Sequence, residues 1–564
     1  MKGTAIRIAC CVLALWGCGD DAPLVCPAGT IPRSGECVPD VDGSTFDAGL
    51  DAGTIALDAS VDAPPDAGCV PSAEPDVPDE DFLDSDCDGV DGNADSSVFV
   101  SATGRADGAG TRTDPVATIT QGISLAASTS RTHVLVANGD YSDAVVLEEG
   151  VAIVGGYDAT TWQRSDSRAR VRAASPVLRG SDIAEPTLVL SLDFEATDAT
   201  EPGTSSIAAL LVQSSGVRLE RVALTAGRGA DGADGVTPSR PPQAAMGTMG
   251  GNGVRSGTCV SGEVEPTPGG GGAPSSGCGC GNGGRGGLAG DFWRNTTLIP
   301  ATAGTHGCEP AWCDPLRLCN ATMPGGPGSG GIGGRTGSDG PGGAPGSDGA
   351  GAEPLGNFSA DGYLPADGAS GGVGGPGAGG GGGGGGTGCA IDHDGYCRGA
   401  GGAGGGGGAG GCGGAGGLGG GGGGASIALY LWESTPTLVR VAIRAADGGA
   451  GGNGALGGEG GLGGIGGPGG QPYRPGGANP ACLTGTPTAG GVGGLGGAGG
   501  RGGGGGGGTG GPSIGILLGA GSNQAGGSSG VTIMTGNGGI RGFGGGTAAT
   551  GENGQINATF TVEG

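Results

Sequence analysis

The residues whose types and spacing best fit a chemical role are four aspartates near residue 90. Asp84, Asp86 and Asp88 alternate along the chain, a glycine follows them, and Asp95 stands eleven residues after Asp84. Alternate carboxylates followed by glycine let a short loop wrap one hard cation, as in calcium loops with ligands at positions 1, 3, 5 and 12. The loop departs from that pattern because Asp91 stands where an apolar anchor is usual and Asp95 replaces the closing Glu. The spacing predicts a calcium site at the four aspartates, with a solvated acidic turn as the alternative.

A second group of residues has the types of a zinc site but not its spacing. His306, Cys308, Cys313 and Cys319 lie close together, yet the Cys-x-x-Cys spacing typical of zinc sites is absent. Disulfides are therefore the preferred interpretation of these cysteines. None of the chain's three histidines stands in a nucleophile motif, so a Ser-His-Asp hydrolase is not indicated.

A third group consists of carboxylates that a glycosidase or polysaccharide lyase would need in pairs. Asp182, Glu185, Asp193 and Glu195 cluster in sequence, but no motif fixes them on one strand face. Solvated loop charges are the ordinary explanation for such a cluster. The sequence therefore predicts no catalytic residue and no enzyme, and a carbohydrate-active enzyme is the alternative.

The N-terminus has the arrangement of a secretory signal. Lys2 and Arg7 precede an apolar run from Ile8 to Trp16, which is too short to span a bilayer. The sequence Leu-Trp-Gly-Cys that ends at Cys18 resembles the lipobox of bacterial lipoproteins, in which the Cys thiol is acylated after cleavage. The resemblance implies a lipid anchor at Cys18. The alternative is a plain secretory signal or an uncleaved anchor.

Composition excludes several classes of protein. Glycine makes up 149 of 564 residues, and the net charge is -28. A chain in which about a quarter of the residues lack a side chain is not typical of an enzyme of this length. Nucleic acid is excluded as a partner because phosphate binding needs basic patches. Lys2 is the only lysine and lies in the predicted signal, so lysine-dependent catalysis is excluded from the mature chain.

The cysteine count agrees with export to an oxidising compartment. Of 17 cysteines, Cys10 and Cys11 lie in the signal and Cys18 is the acylation site, which leaves 14, an even number. An even set in an exported chain indicates disulfides, and a bridge from Cys26 to Cys37 would close one short loop. The disulfide candidates are Cys26, Cys37, Cys69, Cys87, Cys259, Cys278, Cys280, Cys308, Cys313, Cys319, Cys389, Cys397, Cys412 and Cys482.

Shifts in composition divide the chain into eight segments. Segment 39–78 is an acidic stalk that contains no Lys or Arg, and self-repulsion is expected to keep it disordered and extended. The other predicted segments are 1–17 (signal peptide), 18–38 (lipidated N-terminus with a Cys-stapled loop), 79–225 (acidic loop, capping helix and first coils), 226–424 (Gly-rich insertion with cysteines), 425–446 (one coil), 447–511 (Gly-rich insertion) and 512–564 (final coils).

An internal repeat underlies the predicted coils. Two short apolar strands followed by glycine-rich sequence occur three times, and the first strand of each copy begins Ser-Ile, at Ser206, Ser426 and Ser513. Two such strands cannot bury themselves alone, so the copies must stack on one another. The repeat predicts an all-β solenoid of parallel strands with loops leaving one turn.

Residues 79–225 resemble bacterial surface lipoproteins with a right-handed parallel β-helix of the pectin-lyase-like kind. The resemblance rests on residues 86–92 (DCDGVDG), 98–101 (VFVS), 110–112 (GTR), 118–119 (TI) and 151–158 (VAIVGGYD). It implies a right-handed parallel β-helix whose first coil is capped by a short helix at 118–127. The family has no common reaction that could be carried over to this chain.

The glycine-rich tracts have a period of three. From Asp447 onward the variable residues stand at every third position, usually separated by Gly-Gly. That period matches an extended left-handed helix with three residues per turn, which makes no internal hydrogen bonds. We expect several such polyglycine-II helices to bundle side by side as a slab stapled by disulfides. The alternative is a flexible low-complexity loop, because glycine loses the most entropy on ordering.

Together these observations predict a non-enzymatic, lipid-anchored surface protein with a structural or adhesive role. Gly19 and Asp20 after the modified Cys18 favour the outer membrane or cell surface. The expected partners are the membrane, through the lipid, and glycans or extracellular matrix. The competing classes are a carbohydrate-active enzyme and a calcium-stabilised glycan-binding module.

Overall fold

The computed structural model describes residues 30–33, 36–39, 69–72, 76–79, 81–253, 267–274, 281–293, 297–299, 301–305, 334–387, 401–473 and 487–562. The chain divides into two compact units, Met1–Pro64 and Pro65–Gly564. In the first unit, β1 (Thr30–Arg33) and β2 (Glu36–Pro39) pair as an antiparallel hairpin. The predicted signal peptide, Cys18 and most of the predicted stalk lie outside the described residues.

Most strands of the second unit belong to three six-stranded sheets in which every pairing is parallel. The first sheet contains β3 (Ser97–Arg105), β4 (His133–Ala137), β7 (Ala152–Tyr157), β10 (Thr187–Leu190), β13 (Val217–Glu220) and β20 (Thr437–Val439). The second contains β5 (Asp140–Tyr141), β8 (Ala169–Ala173), β11 (Leu192–Ala196), β14 (Ala223–Thr225), β21 (Ala442–Arg444) and β23 (Thr532–Met534). The third contains β6 (Val145–Val146), β9 (Leu178–Ser181), β12 (Ser206–Val212), β19 (Ser426–Trp432), β22 (Ser513–Leu518) and β24 (Ile556–Thr561).

Successive turns of the chain visit the first, second and third sheets in that order. The corner between the first two sheets is a single residue in the left-handed region, at Ser191, Arg221 and Arg440, with φ of 57°, 52° and 52°. One left-handed residue bends a strand sharply without a loop. Leu188–Leu192 is one continuous apolar run in the sequence except for Ser191, and this corner divides it into two strands in different sheets.

The three repeat copies stack in register in the third sheet. Ile207 of β12 pairs with Ile427 of β19, which pairs with Ile514 of β22. Leu211 and Leu431, in the same strands, are fully buried in the large core that the three sheets share. The expectation that the copies build one continuous core is confirmed.

The one described helix is α1 (Ile119–Thr129). Thr118 caps it, because its hydroxyl accepts from Gln121 N–H while the Gln121 side chain accepts from Thr118 N–H. Gly122 allows the helix to approach the sheet closely, since a Cβ there would lie 2.5 Å from Val100 of β3 and 2.9 Å from Val134 of β4. The predicted helix thus packs on the β3 end of the first sheet.

The glycine-rich tracts leave after strands of the second sheet and return to strands of the third. Two antiparallel hairpins interrupt them, β15 (Asp291–Trp293) with β16 (Thr297–Ile299), and β17 (Asn357–Ser359) with β18 (Gly362–Leu364). Tract-to-tract hydrogen bonds join segments 227–253, 267–274, 281–290, 301–305, 334–352, 365–387, 401–425, 446–473, 487–512 and 535–554.

Residues 401–425 form the central tract, which is surrounded by six others. Its N–H groups point in three directions with a period of three: Gly402 donates to Thr488 O, Ala403 to Gly251 O and Gly404 to Gly287 O. Its carbonyls accept in three further directions, from tracts 267–274, 365–387 and 446–473. From Gly402 to Ala409, every backbone N–H and C=O of the central tract is therefore paired with another tract and needs no water.

Close approach explains why the central tract is glycine. A Cβ on Gly405 would lie 1.9 Å from Gly467 O, and one on Gly404 would lie 1.9 Å from Gly383 O. Side chains fit only at certain third positions, such as Ala403 and Ala409, which are both fully buried. The predicted side-by-side bundling of the tracts is present in the described residues.

Buried serines brace the places where tracts leave the sheets. The hydroxyl of Ser426 donates to Gly227 O at 2.8 Å and accepts from Ala446 N–H at 2.9 Å. Ser206 and Ser513 make the equivalent pairs of bonds in their own copies. The serine that begins each repeat copy therefore holds the backbone where a glycine tract meets the third sheet.

Candidate functional site

The predicted calcium loop is an ordered turn held by a disulfide. Cys87, inside the loop, is bonded to Cys69, so residues before the predicted boundary at 79 belong to the folded unit. Cys87 and Gly89 both have positive φ, 64° and 91°, which lets the chain double back on itself. The aspartate side chains stabilise the turn by accepting hydrogen bonds from its backbone.

The structure brings together two of the four predicted ligands and adds one that the spacing did not indicate. Oxygen atoms of Asp76, Asp84 and Asp86 all lie within 4.8 Å of one another. Asp88 instead accepts from Val90 N–H and Ala94 N–H, and Asp95 is exposed. Asp76 lies eight residues before Asp84, outside any calcium-loop pattern, and only the Cys69–Cys87 bridge could have indicated its position.

The environment of these carboxylates favours a neutralising partner. Burial raises the pKa of Asp76, and the charges of Asp86 and Asp84 act in the same direction, against a hydrogen bond from Gly92 N–H. Burial also raises the pKa of Asp88, with further contributions from Asp86 and Asp84. Like charges at this separation favour protonation or a bound cation.

Asp91, which the sequence marked as a departure from a calcium loop, anchors the turn to the first sheet. Its carboxylate lies 2.7 Å from Arg164 Nη1, and both side chains are almost fully buried. Arg164 also donates to Gly155 O and Asp79 O, and Tyr157 OH donates to Asp91 O. Burial raises the pKa of Asp91 to about 6, although the hydrogen bond and charge of Arg164 act to lower it.

Two of the four carboxylates that could have formed a hydrolytic pair lie on one strand and are engaged by arginines. Asp193 and Glu195 lie on β11 beside β8, where Arg168 contacts Asp193 at 3.1 Å. Arg170 and Arg172 contact Glu195 at 2.5 and 3.0 Å.

The other two carboxylates of that group lie between β9 of the third sheet and β10 of the first sheet. Asp182, with φ of 57°, follows β9, and Glu185 precedes β10. Their sequence cluster therefore does not become one site among the described residues.

The remaining predicted sites lie partly inside and partly outside the described residues. Cys412 is disulfide-bonded, as predicted for a tract cysteine. His306 and the three cysteines near it lie outside the described residues, as does the acylation site Cys18, and so do the other cysteine side chains of the tracts. Within the described part of the chain, no helix has the length and apolar character needed to cross a membrane.

Comparison with protein-family models, with curated proteins and with solved structures found no match to this chain.

Proposed function

We propose that this chain is a lipid-anchored surface protein with a structural or adhesive role, built as a right-handed parallel β-helix that carries a polyglycine-II slab. The observation that supports it most is the combination of in-register parallel sheets and hydrogen-bonded glycine tracts. Both regions use backbone pairing to give a rigid, extended surface rather than a cleft for chemistry.

The helical reading of the sheets follows from the order in which the chain visits them. Five successive turns, from β4 to β22, each contribute one strand to each of the three parallel sheets, and parallel connections within a sheet are right-handed in about 98% of cases. The polyglycine-II interpretation of the tracts is supported by the central tract, whose N–H groups point in three directions per three residues and bond only to other tracts.

The non-enzymatic reading draws support from the carboxylates. Asp193 and Glu195 are paired with arginines on a half-buried strand face, which leaves neither carboxylate free to act as one of a catalytic pair. A carbohydrate-active enzyme is the alternative. Glycan cleavage by the full chain that is lost in Asp193→Ala would establish it and overturn our proposal.

The surface role can be tested in the bacterium that produces the chain. We expect wild type, but not Cys18→Ala, to incorporate a palmitate analogue and to be cleaved by protease added outside intact cells. We also expect deletion of the gene to reduce attachment of cells to glycan-coated or matrix-coated surfaces. Wild-type chain that stays protected from external protease would contradict a surface location, and unchanged attachment would contradict adhesion.

A second proposal is that the acidic loop binds calcium, which would brace it against the first sheet. The convergence of Asp76, Asp84 and Asp86 behind the Cys69–Cys87 bridge supports it. Calorimetric titration of the full chain with calcium should give binding that Asp76→Asn and Asp84→Asn abolish. Asp95→Asn is the matched control, because Asp95 is exposed and outside the trio. If the Asp76→Asn variant still released or absorbed heat on calcium binding, as the wild type does, this site would be refuted.

A further inference from the structure

The hairpin of β17 and β18, which belongs to a glycine-rich insertion, is docked on the third sheet. Tyr430 of β19 donates its hydroxyl to Ser359 O at 2.7 Å and lies 3.0 Å from Gly362 O. The ring of Phe358 packs on Tyr363, Tyr430 and Phe560, with centroids 5.0, 6.4 and 5.5 Å away. These contacts hold the hairpin at a fixed place on the face of the sheet that points away from the main core.

The hairpin covers only part of that face. One row of residues in register across the third sheet runs Val146, Arg179, Leu210, Tyr430, Leu517 and Phe560. Leu210 and Tyr430 are buried, whereas Arg179 is exposed and Val146 is 55% exposed. The cover therefore ends between β12 and β9, beside Arg179.

A cavity of about 610 Å³ lies at this edge. Its walls come from the third sheet, the 202–205 loop, the hairpin and the glycine tracts, and they include Pro176, Arg179, Pro202, Asp361, Tyr363 and Leu364. The volume falls within the range of about 300–1,000 Å³ typical of small-molecule sites. Because sheet, hairpin and tracts are each held by their own hydrogen bonds, the cavity is formed before any ligand arrives.

The lining combines opposite charges with apolar surfaces. The guanidinium of Arg179 and the carboxylate of Asp361 make no hydrogen bond or ion pair with any residue that the structure describes. A guanidinium offers five N–H donors, and a carboxylate only accepts, so together they suit a ligand that both donates and accepts. Tyr363, Leu364 and the two prolines add apolar surface beside these groups.

Vicinal hydroxyl groups of a sugar fit this lining best. Each hydroxyl donates and accepts, and adjacent hydroxyls can bond bidentately to a guanidinium or a carboxylate. The C–H faces of a sugar ring match apolar and aromatic walls. Acidic sugars and phosphates are disfavoured, since the lining holds Asp361 and Asp367 against one guanidinium and the chain carries a net charge of -28.

We propose that this cavity binds uncharged sugar units of a polysaccharide. The proposal rests on the adhesive role proposed above and names its ligand class. Arg179 and Asp361 orient the sugar hydroxyls, and Tyr363 and Leu364 contact the ring. No bond is made or broken in this role, so the site retains a glycan rather than cleaving it.

The test is calorimetric titration of the full chain with soluble neutral oligosaccharides of glucose, galactose and N-acetylglucosamine. Trigalacturonate and inorganic phosphate serve as acidic probes. We expect at least one neutral oligosaccharide to bind. We also expect Arg179→Ala and Asp361→Ala each to raise the Kd for that oligosaccharide at least tenfold. Arg444→Ala is the matched control, because Arg444 is also an exposed strand arginine but lies outside the cavity. The control should keep the wild-type Kd.

Three outcomes would overturn the proposal: no binding of any neutral probe, binding unaffected by both cavity variants, or tighter binding of the acidic probes. Variant folding is checked by near-UV circular dichroism, and both substitutions are at exposed positions, where loss of fold is not expected. Attachment of cells that carry Arg179→Ala separates this site from the wider role. If the variant no longer binds sugar but its cells still attach normally, the cavity is not the adhesive site. The proposed surface role would be unaffected by that result.

Discussion

The parallel sheets and the glycine tracts of this chain are packed equally tightly but by opposite means. In the sheets, large aliphatic side chains such as Leu211 of β12 and Leu431 of β19 fill the interior, and these two strands are buried along nearly their whole length. In the central tract the interior is almost entirely backbone, with small side chains only at positions such as Ala403 and Ala409, and six neighbours approach until no Cβ fits at Gly405. Hydrophobic burial stabilises the first region, whereas paired N–H and C=O groups and close van der Waals contact stabilise the second.

The comparison teaches that glycine need not indicate a flexible segment. Glycine has the largest entropy cost of ordering, but from Gly402 to Ala409, where six neighbours surround the central tract, every backbone N–H and C=O is paired with another tract. The stability of the two regions should therefore respond in opposite ways when side-chain volume is added or removed. Removing side-chain volume should damage the sheets, and adding it should damage the slab.

The largest effect is expected for Leu431→Ala in β19. Leu431 is fully buried in the shared core and in register with Leu211 and Leu518. Its truncation leaves a cavity among three stacked turns, and the free energy of unfolding should fall by about 2–5 kcal/mol. Guanidinium denaturation of the full chain measures the change. Val146→Ala, at an exposed position of the same sheet, should lower stability far less, and equal losses in the two variants would argue against a core dominated by burial.

Adding a methyl group to the central tract should have the next largest effect. The new Cβ of Gly405→Ala would lie 1.9 Å from Gly467 O, and a backbone carbonyl cannot rotate away as a side chain can. Overpacking of this kind typically costs about 1–3 kcal/mol, with faster amide exchange expected in tracts 401–425 and 446–473. Gly526→Ala is the control, since no atom lies within 4 Å of its Cβ position. A Gly405→Ala protein as stable and as protected as the wild type would mean that the tracts are not tightly bundled.

A smaller effect is expected where the two regions join. Ser426→Ala leaves Gly227 O and Ala446 N–H, which are both part-buried, without their hydroxyl partner, and this should lower the free energy of unfolding by about 1 kcal/mol. Amide exchange at Ala446 and along the start of tract 446–473 should quicken, while the strands of the first sheet keep their protection. The control is Ser215→Ala, whose exposed hydroxyl accepts from Thr435 N–H, and water can replace that bond. Uniform loss of protection through both regions would show that the junction is not a separate unit.

Much of the sheet region could be predicted from sequence because its signals are local. The stacking of the Ser-Ile repeats and the helix after Thr118, which the resemblance implied, are both confirmed by the structure. The strand break at Ser191 could not be predicted, because a left-handed corner needs one residue and serine is not typical there. The period of three predicted the side-by-side tracts but not which tract lies at the centre, which depends on long-range pairing.

The acidic loop shows the limit of short motifs. Spacing indicated Asp84 and Asp86, which do converge, but Asp76 joins them through the fold of a segment predicted to be disordered. Asp91 had no apparent role from spacing, because its partner Arg164 lies 73 residues away. The cavity beside Arg179 could not be predicted either, since its walls are assembled from a sheet, a hairpin and tracts that are distant in sequence.

The smallest effect is expected for Leu462→Ala, which makes the same chemical change as Leu431→Ala but in the slab. Leu462 is a variable residue of tract 446–473 and is 48% exposed, while Gly461 and Gly463 beside it supply the close backbone contacts. Exposed positions of this kind usually change stability by less than about 0.5 kcal/mol, so denaturation should give a curve close to that of the wild type. If Leu462→Ala were as damaging as Leu431→Ala, side chains rather than backbone would hold the slab together, and the contrast between the two regions would fail. A near-neutral result, together with a destabilised Gly405→Ala, would mean that the stability of the tracts depends on close backbone contact at glycine and much less on the side chains at the variable positions.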